Sequence, residues 1–246
     1  MADVSHLGEN FKKYFEVLPA FTPELKQETF RIRHSVYCEE LGYEAVRTDG
    51  VETDHYDAHS IHLLLRTGSS TPVGCIRLVR PDPQQPDQLM PFEKTCAAVL
   101  DRAHIDPAKC DRQHVAEVSR LAVLGSFRKR KGEGNTPVAL SDRDFGAPGM
   151  PRFPYIPVGL YTAMFLVAAE SGLHTLFVLT EPRLARHLSA LGIKLTQIGG
   201  PVQHRGTRIP SVLNTQENIE SIKFNLYPLF EVIEADVRRY SPAAAS

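Results

Sequence analysis

Tryptophan is absent from this 246-residue chain, and cysteine occurs only 4 times. Cys38, Cys75, Cys96 and Cys110 lie far apart and form no C-x-x-C pair. That spacing argues against a thiolate zinc site and supplies no disulfide framework. No apolar run reaches the length of about 18 residues needed to cross a bilayer, so no membrane span is expected. Residues 1–15 carry charges throughout and lack the apolar segment of a secretory signal, which makes the cytoplasm the expected location. Charge of one sign is missing too. The 28 Lys and Arg residues against 29 Asp and Glu leave a formal net charge of -1, so no global field favours nucleic acid or an acidic membrane surface.

What is present is ordinary globular composition over a length that can bury a core without staples. Residues 14–18 read as a first strand. Thr22-Pro23-Glu24 then opens a helix: Thr as N-cap, Pro at the first helical position, Glu against the positive end of the dipole. That helix is expected to run to Leu41, with Gly42 as its stop. Residues 60–66 and 72–79 read as a hairpin turning at Gly68-Ser69-Ser70, and 81–91 as irregular chain. A strand over 115–124 follows, then a basic and Gly/Pro-rich insertion over 125–157, with 132–154 expected as a loop or lid. Further on come a helix over 159–171, a strand over 174–179 and a helix over 183–191. Strands near 193–198 and over 207–213 precede a helical stretch over 218–239 that Pro228 should break. The order predicts a mixed α/β layout: a core domain over 1–213 and a C-terminal helical extension with its tail over 214–246.

The informative residues are charges lodged inside core patterns. Phe30, Arg33, Tyr37 and Leu41 share one helix face, so Arg33 interrupts an apolar stripe; the ordinary alternative is a side chain whose stem packs while its head reaches water. Arg77 lies between Ile76 and Leu78 in a strand, and Glu117 and Arg120 share the strand VAEVSRLAV. Residues three apart on a strand face opposite ways, so a β-bulge is the simplest way for Glu117 and Arg120 to act together. An internal salt bridge tying strand to helix would place the same charges. The stretch 52–62 offers three carboxylates (Glu52, Asp54, Asp57) and three imidazoles, yet neither H-E-x-x-H nor the ligand pattern of a calcium loop, so no metal site is assigned. Its carboxylates either form a solvated loop or face the arginines. The run Arg128-Lys129-Arg130-Lys131 follows a strand directly and suits a phosphate or an acidic protein.

Taken together these positions resemble the acyl-homoserine-lactone synthases, a branch of the GNAT superfamily. The family's Arg-x-x-x-Phe-x5-Trp pattern stands as Arg33, Tyr37 and Tyr43. Its Glu-x-Asp-x-x-Asp is Glu52, Asp54 and Asp57. The strand Arg is Arg77, the later Phe is Phe92, and Glu-x-Ser-Arg is Glu117 to Arg120. Both aromatic positions are Tyr, which departs from the pocket that receives S-adenosylmethionine in that family. In detail the chain looks more like acyltransferases associated with PEP-CTERM/exosortase systems and long-chain N-acyl amino acid synthases. The resemblance implies a GNAT-like mixed central sheet with a splayed strand. It also implies transfer of a long acyl chain from the phosphopantetheine thioester of acyl carrier protein, or from acyl-CoA, to an amino acid or similar small amine. No tightly bound cofactor is implied, and the acylated product would partition to a membrane. Glu117, or Glu52 through a water, is the expected proton acceptor. Arg33, Arg77 and Arg120 would hold carboxylates or clamp the acceptor, backbone N–H groups near Leu121 to Val123 would receive the oxyanion, and 128–131 would dock the carrier. The competing expectations are a lactone synthase using S-adenosylmethionine and a non-catalytic acyl-binding module.

Overall fold

The computed structural model describes residues 6–128 and 154–240. The chain runs α1 (Leu7–Tyr14), β1 (Phe15–Pro19), α2 (Pro23–Arg33), a π-helical segment (His34–Glu40) and a 3-10 turn (His55–His59). The hairpin β2 (Ser60–Thr67) and β3 (Pro72–Val79) leads to α3 (Pro91–Cys96), a second 3-10 turn (Pro107–Lys109), β4 (Val115–Val123) and α4 (Gly125–Arg128). Then come α5 (Tyr155–Glu170), β5 (Thr175–Thr180), α6 (Pro182–Ala190), β6 (Thr196–Gln197), β7 (Val202–Gln203) and β8 (Thr207–Asn214), closed by α7 (Thr215–Asn225) and α8 (Tyr227–Tyr240).

The strands form one open sheet in the order β1-β2-β3-β4-β5-β8-β6, with β7 on β8. Every pairing is antiparallel except β4 with β5. One face packs on α5, whose residues from Tyr155 to Ala168 are all buried. The same core takes Phe11 of α1 and Leu229, Phe230, Ile233 and Val237 of α8, so the C-terminal helices share the core of the preceding residues. Val36 and Tyr37 of the π segment and Ile32 of α2 cover the other face above Leu64, Cys75 and Ala122.

Two irregularities shape what lies between these layers. The first helix does not continue as α to Leu41: after Arg33 its turns widen, and Leu41 N–H donates to Val36 carbonyl five residues back. Such widening turns the following side chains relative to a regular helix. Gly42 does stop it, at φ 63°. In β4, Ser119 pairs Arg77 while Ala122 pairs Cys75, so Arg120 and Leu121 together oppose Ile76. This is a β-bulge, one step past the interval where the sequence placed it, and Arg120 is left-handed at φ 52°. The parallel ladder with β5 stops at Val118–Val178 although both strands continue, so β4 and β5 splay. The charged segment before β1, read without secondary structure, is helix α1; Phe11 is wholly buried there. The lid expected over 132–154 lies outside the described residues apart from Pro154, the N-cap of α5.

Candidate active site

Glu52, Asp54 and Asp57 sit on a locally built scaffold. Glu52 N–H donates to Phe30 carbonyl at 3.0 Å, which ties the loop to α2. Asp54 caps the 3-10 turn by accepting from Tyr56 N–H at 3.0 Å, and Asp57 reaches back to accept from Asp54 N–H at 2.8 Å. This reciprocal cap explains the Asp-x-x-Asp spacing. The remaining acceptor capacity meets three arginines. Arg33 donates Nε to Glu52 and both terminal nitrogens to Asp57, at 2.7 and 3.1 Å. Arg77 gives Nη1 to Asp57 at 2.6 Å and to Asp54 at 2.8 Å, and Nε to Ser119 Oγ at 3.1 Å. Arg120 reaches Glu52 at 3.0 Å and Asp54 at 3.2 Å. The left-handed backbone at Arg120 turns it to the face of Arg77 and Ser119, as the bulge argument required.

Arg33 is 0% exposed, so its head does not reach water. Burial works against its charge, but the hydrogen bonds and field of Asp57 and Glu52 win and raise its pKa. Burial would likewise raise Glu52 and Asp57, yet the guanidinium groups win again: Glu52 falls to about 2, and Asp57 lies well below the usual carboxylate range. A fixed anion of this kind is a poor proton acceptor, which removes Glu52 from the proton-accepting role. Of the two roles expected for the arginines, Arg33 and Arg77 take that of holding carboxylates: Arg33 bonds Glu52 and Asp57, and Arg77 bonds Asp54, Asp57 and the Ser119 hydroxyl.

Glu117 behaves in the opposite way. It is 6% exposed, accepts Phe92 N–H at 2.6 Å, and among the described residues no arginine is within hydrogen-bond reach of it. Burial pushes its pKa up to about 7, against the pull of the Phe92 N–H and the fields of Arg77 and Arg120. Glu117 lines a cavity of about 300 Å³ set in the splay between β4 and β5. Tyr37, Tyr43, Asp54, Arg77, Phe92, Arg120 and Leu121 also line it. Tyr37 donates to Leu121 carbonyl at 2.9 Å, and Phe92 stacks on Phe177 at 5.3 Å. Past Val118 the β5-facing edge of β4 has no strand partner among the described residues, so its polar main chain faces this space.

Other expectations fare differently. Val123 is back in the ladder opposite Gly74 and buried in the main core, because pairing resumes after the bulge; it does not line the cavity. Arg128 pairs with Glu40. Lys129, Arg130 and Lys131 lie outside the described residues. Cys75 and Cys96 are buried with thiols pushed up to about 12 by desolvation, which keeps them neutral and unreactive. The sequence reading missed Tyr56, Thr180, Glu181, His204, Arg205 and Arg208, all on the cavity wall. Arg205 sits in the polar turn between β7 and β8 and Arg208 at the start of β8, where arginine is unremarkable, and only the return of β8 beside β5 brings them to the site.

Residues 32–134 match the family described as Acetyltransferase (GNAT) domain. No curated protein matches the chain. Solved structures do. The acyl-homoserine-lactone synthase LasI aligns at 18% identity with TM-score 0.58, covering 87% of this chain and 95% of that one. BjaI, a CoA-dependent acyl-homoserine lactone synthase solved with SAM and isopentyl-CoA, aligns at 17% identity and TM-score 0.58, covering 87% and 90%. FeeM, an N-acyl amino acid synthase from uncultured soil microbes, aligns at 18% identity and TM-score 0.53, covering 84% and 93%. The chain thus shares the GNAT-like mixed α/β fold of these synthases.

Proposed function

We propose that the protein is an N-acyltransferase that moves a fatty acyl group from a carrier-protein thioester to the amine of an amino acid or similar small molecule. The observation that carries this reading is Glu117: a nearly buried carboxyl group, poised near neutral pH, on the wall of a cavity that opens where β4 and β5 part. A thioester laid in the splay would present its carbonyl oxygen to the unpaired main chain of β4, whose N–H groups stabilise the developing oxyanion. Glu117 takes a proton from the attacking ammonium group, and the freed amine adds to the carbonyl. The tetrahedral intermediate then collapses: the C–S bond breaks, the nitrogen gives up its second proton to the departing sulfur, which leaves as the thiol, and Glu117 returns its proton to solvent. Asp54, Glu52 and Asp57 hold Arg77 and Arg120 in place, so that their field is fixed before substrate arrives. The neutral buried thiols offer no nucleophile for an acyl-enzyme, which supports direct transfer.

The acceptor is read as an amino acid rather than S-adenosylmethionine because of the aromatic wall. Tyr37 and Tyr43 stack at 6.5 Å, and each ring already carries a guanidinium: Arg120 lies 5.6 Å from Tyr37 and Arg205 5.8 Å from Tyr43. Those cations occupy the positions a sulfonium would seek and repel it. The likeness to lactone synthases keeps the alternative worth testing in the same assay. With acyl carrier protein loaded with C8 to C16 chains, a panel of amino acids is expected to release thiol and yield an acyl amide by mass spectrometry. Release of methylthioadenosine with S-adenosylmethionine instead would overturn the acceptor assignment.

A further inference from the structure

The arginines around the cavity differ in how far their donors are committed. Arg33, Arg77 and Arg120 are held by Glu52, Asp54 and Asp57. Arg208 gives Nη1 to Glu181 at 3.0 Å and its other nitrogens to the carbonyls of His204 and Arg205, both at 3.2 Å. Arg205 is different. Among the described residues its guanidinium bonds one side-chain acceptor, the Glu44 carboxylate, which belongs to the loop after the π segment. Both side chains are only partly buried, 29% and 31% exposed, whereas the inner pairs on Arg33 and Arg77 are nearly dry. Tyr43 lies under the guanidinium. The backbone at Arg205 is left-handed at φ 52°, followed by Gly206 at 98°. An arginine held in that conformation stores strain, and such strain gathers at ligand-binding positions.

We propose that Arg205 receives the carboxylate of the acceptor, so that the amine acylated is an amino acid and not a simple amine, and that Glu44 fills this position when no acceptor is bound. The inference rests on the acyl-transfer reading above. A ligand carboxylate is chemically the group that Glu44 already presents, so exchange replaces one charged pair by another. Glu44 also lies 3.7 Å from Arg120, which Glu52 and Asp54 hold independently, so returning the partly exposed Glu44 to water costs little. The planar fork of Arg205, 5.8 Å above the Tyr43 ring centre, is suited to a two-point grip on a carboxylate. Arg205 and Glu117 line the same cavity, so a carboxylate anchored at Arg205 leaves the attached amine inside the chamber that Glu117 serves.

Arg205→Asn removes the fork with a residue that tolerates left-handed backbone. Steady-state rates are measured with hexadecanoyl carrier protein, using the best of the twenty amino acids and its carboxamide as acceptors. Wild type is expected to prefer the acid over the amide by about tenfold or more, a contrast of the size that one charged hydrogen-bonded contact produces. In the variant the KM of the acid should rise by about tenfold, with the KM of the amide and kcat little changed. Melting curves check that the variant folds. Should it not, Arg205→Lys, which keeps the charge without the fork, is expected to lose part of the acid preference. Equal use of acid and amide by wild type, or an unchanged acid KM in the variant, overturns the carboxylate assignment while leaving acyl transfer standing. A rise in KM for the carrier thioester instead would give Arg205 to the donor's phosphate and also overturn it. No thiol release from wild type with any amine sinks both readings.

Discussion

At the scale of single residues, two carboxylates a short way apart have been driven in opposite directions. Glu52 has guanidinium partners on both oxygens and stays ionised; Glu117 has one backbone N–H and low-dielectric surroundings, and it holds its proton up to about pH 7. Only the second can exchange a proton near neutrality. A group whose folded pKa is raised adds stability in full below its unfolded value, here 4.5, and loses it as pH rises through about 7. The difference is on the order of 3 kcal/mol between the two limits. Glu117→Gln keeps an acceptor for Phe92 N–H and abolishes this titration. We expect the variant to melt close to wild type at about pH 4 and above it at about pH 8, with turnover reduced by roughly 10²- to 10⁴-fold. Wild-type kcat should climb through an acidic limb near pH 7. An acidic limb near 4.5, or full turnover in the variant, removes Glu117 as the base.

Elements explain how much of this was legible beforehand. The β2–β3 hairpin matched its alternation and turn residues, and β4 and β5 fell within a residue or so of their expected limits, because strand signals are local. The widened turns after Arg33 were not legible, since the side-chain spacing of Phe30, Arg33 and Tyr37 fits an α-helix equally well. Helix α1 was hidden because its stability comes from α8, more than 200 residues away: a Cβ on Gly8 would lie 2.2 Å from Pro228 carbonyl oxygen. The same close packing supports a test. A Cβ on Gly159 of α5 would stand 2.6 Å from Phe11 Cε2 and 3.0 Å from Cζ. Alanine gains about 1 kcal/mol of helix propensity over glycine, while overpacking a full core costs about 1–3 kcal/mol. Phe11 is 0% exposed and has nowhere to swing, so the second effect should win. Gly159→Ala is expected to lower the melting temperature by about 2–4 °C. An unchanged or higher value would mean that α1 yields more easily than its burial implies.

On the scale of the whole molecule, the site divides into a part that sequence reveals and a part that only the fold assembles. Arg33, Glu52, Asp54, Asp57, Arg77 and Arg120 stood out as charges inside apolar patterns, and their convergence follows from the order α2, β3, β4 across one sheet face. Arg205 and Glu44 carried no such signal; their contact spans 161 positions. Donor choice belongs to this scale as well. The splay opens at the end of β4, and α4 follows there, with Arg128 paired to Glu40 and the next three residues basic in sequence. In the proposed reading an acidic carrier protein docks on that basic run of the sequence to deliver its thioester. Exposed pairs contribute about 0.2–1 kcal/mol each, so neutralising Lys129, Arg130 and Lys131 together removes roughly 1–2 kcal/mol, near a tenfold change in affinity. The triple Gln variant should therefore raise the KM for acyl carrier protein about tenfold at low salt, leaving kcat and the acceptor KM unchanged. The gap should close toward about 0.5 M salt, where screening shortens to a few ångströms. An equal KM for variant and wild type across that salt range would place carrier docking on another face of the protein.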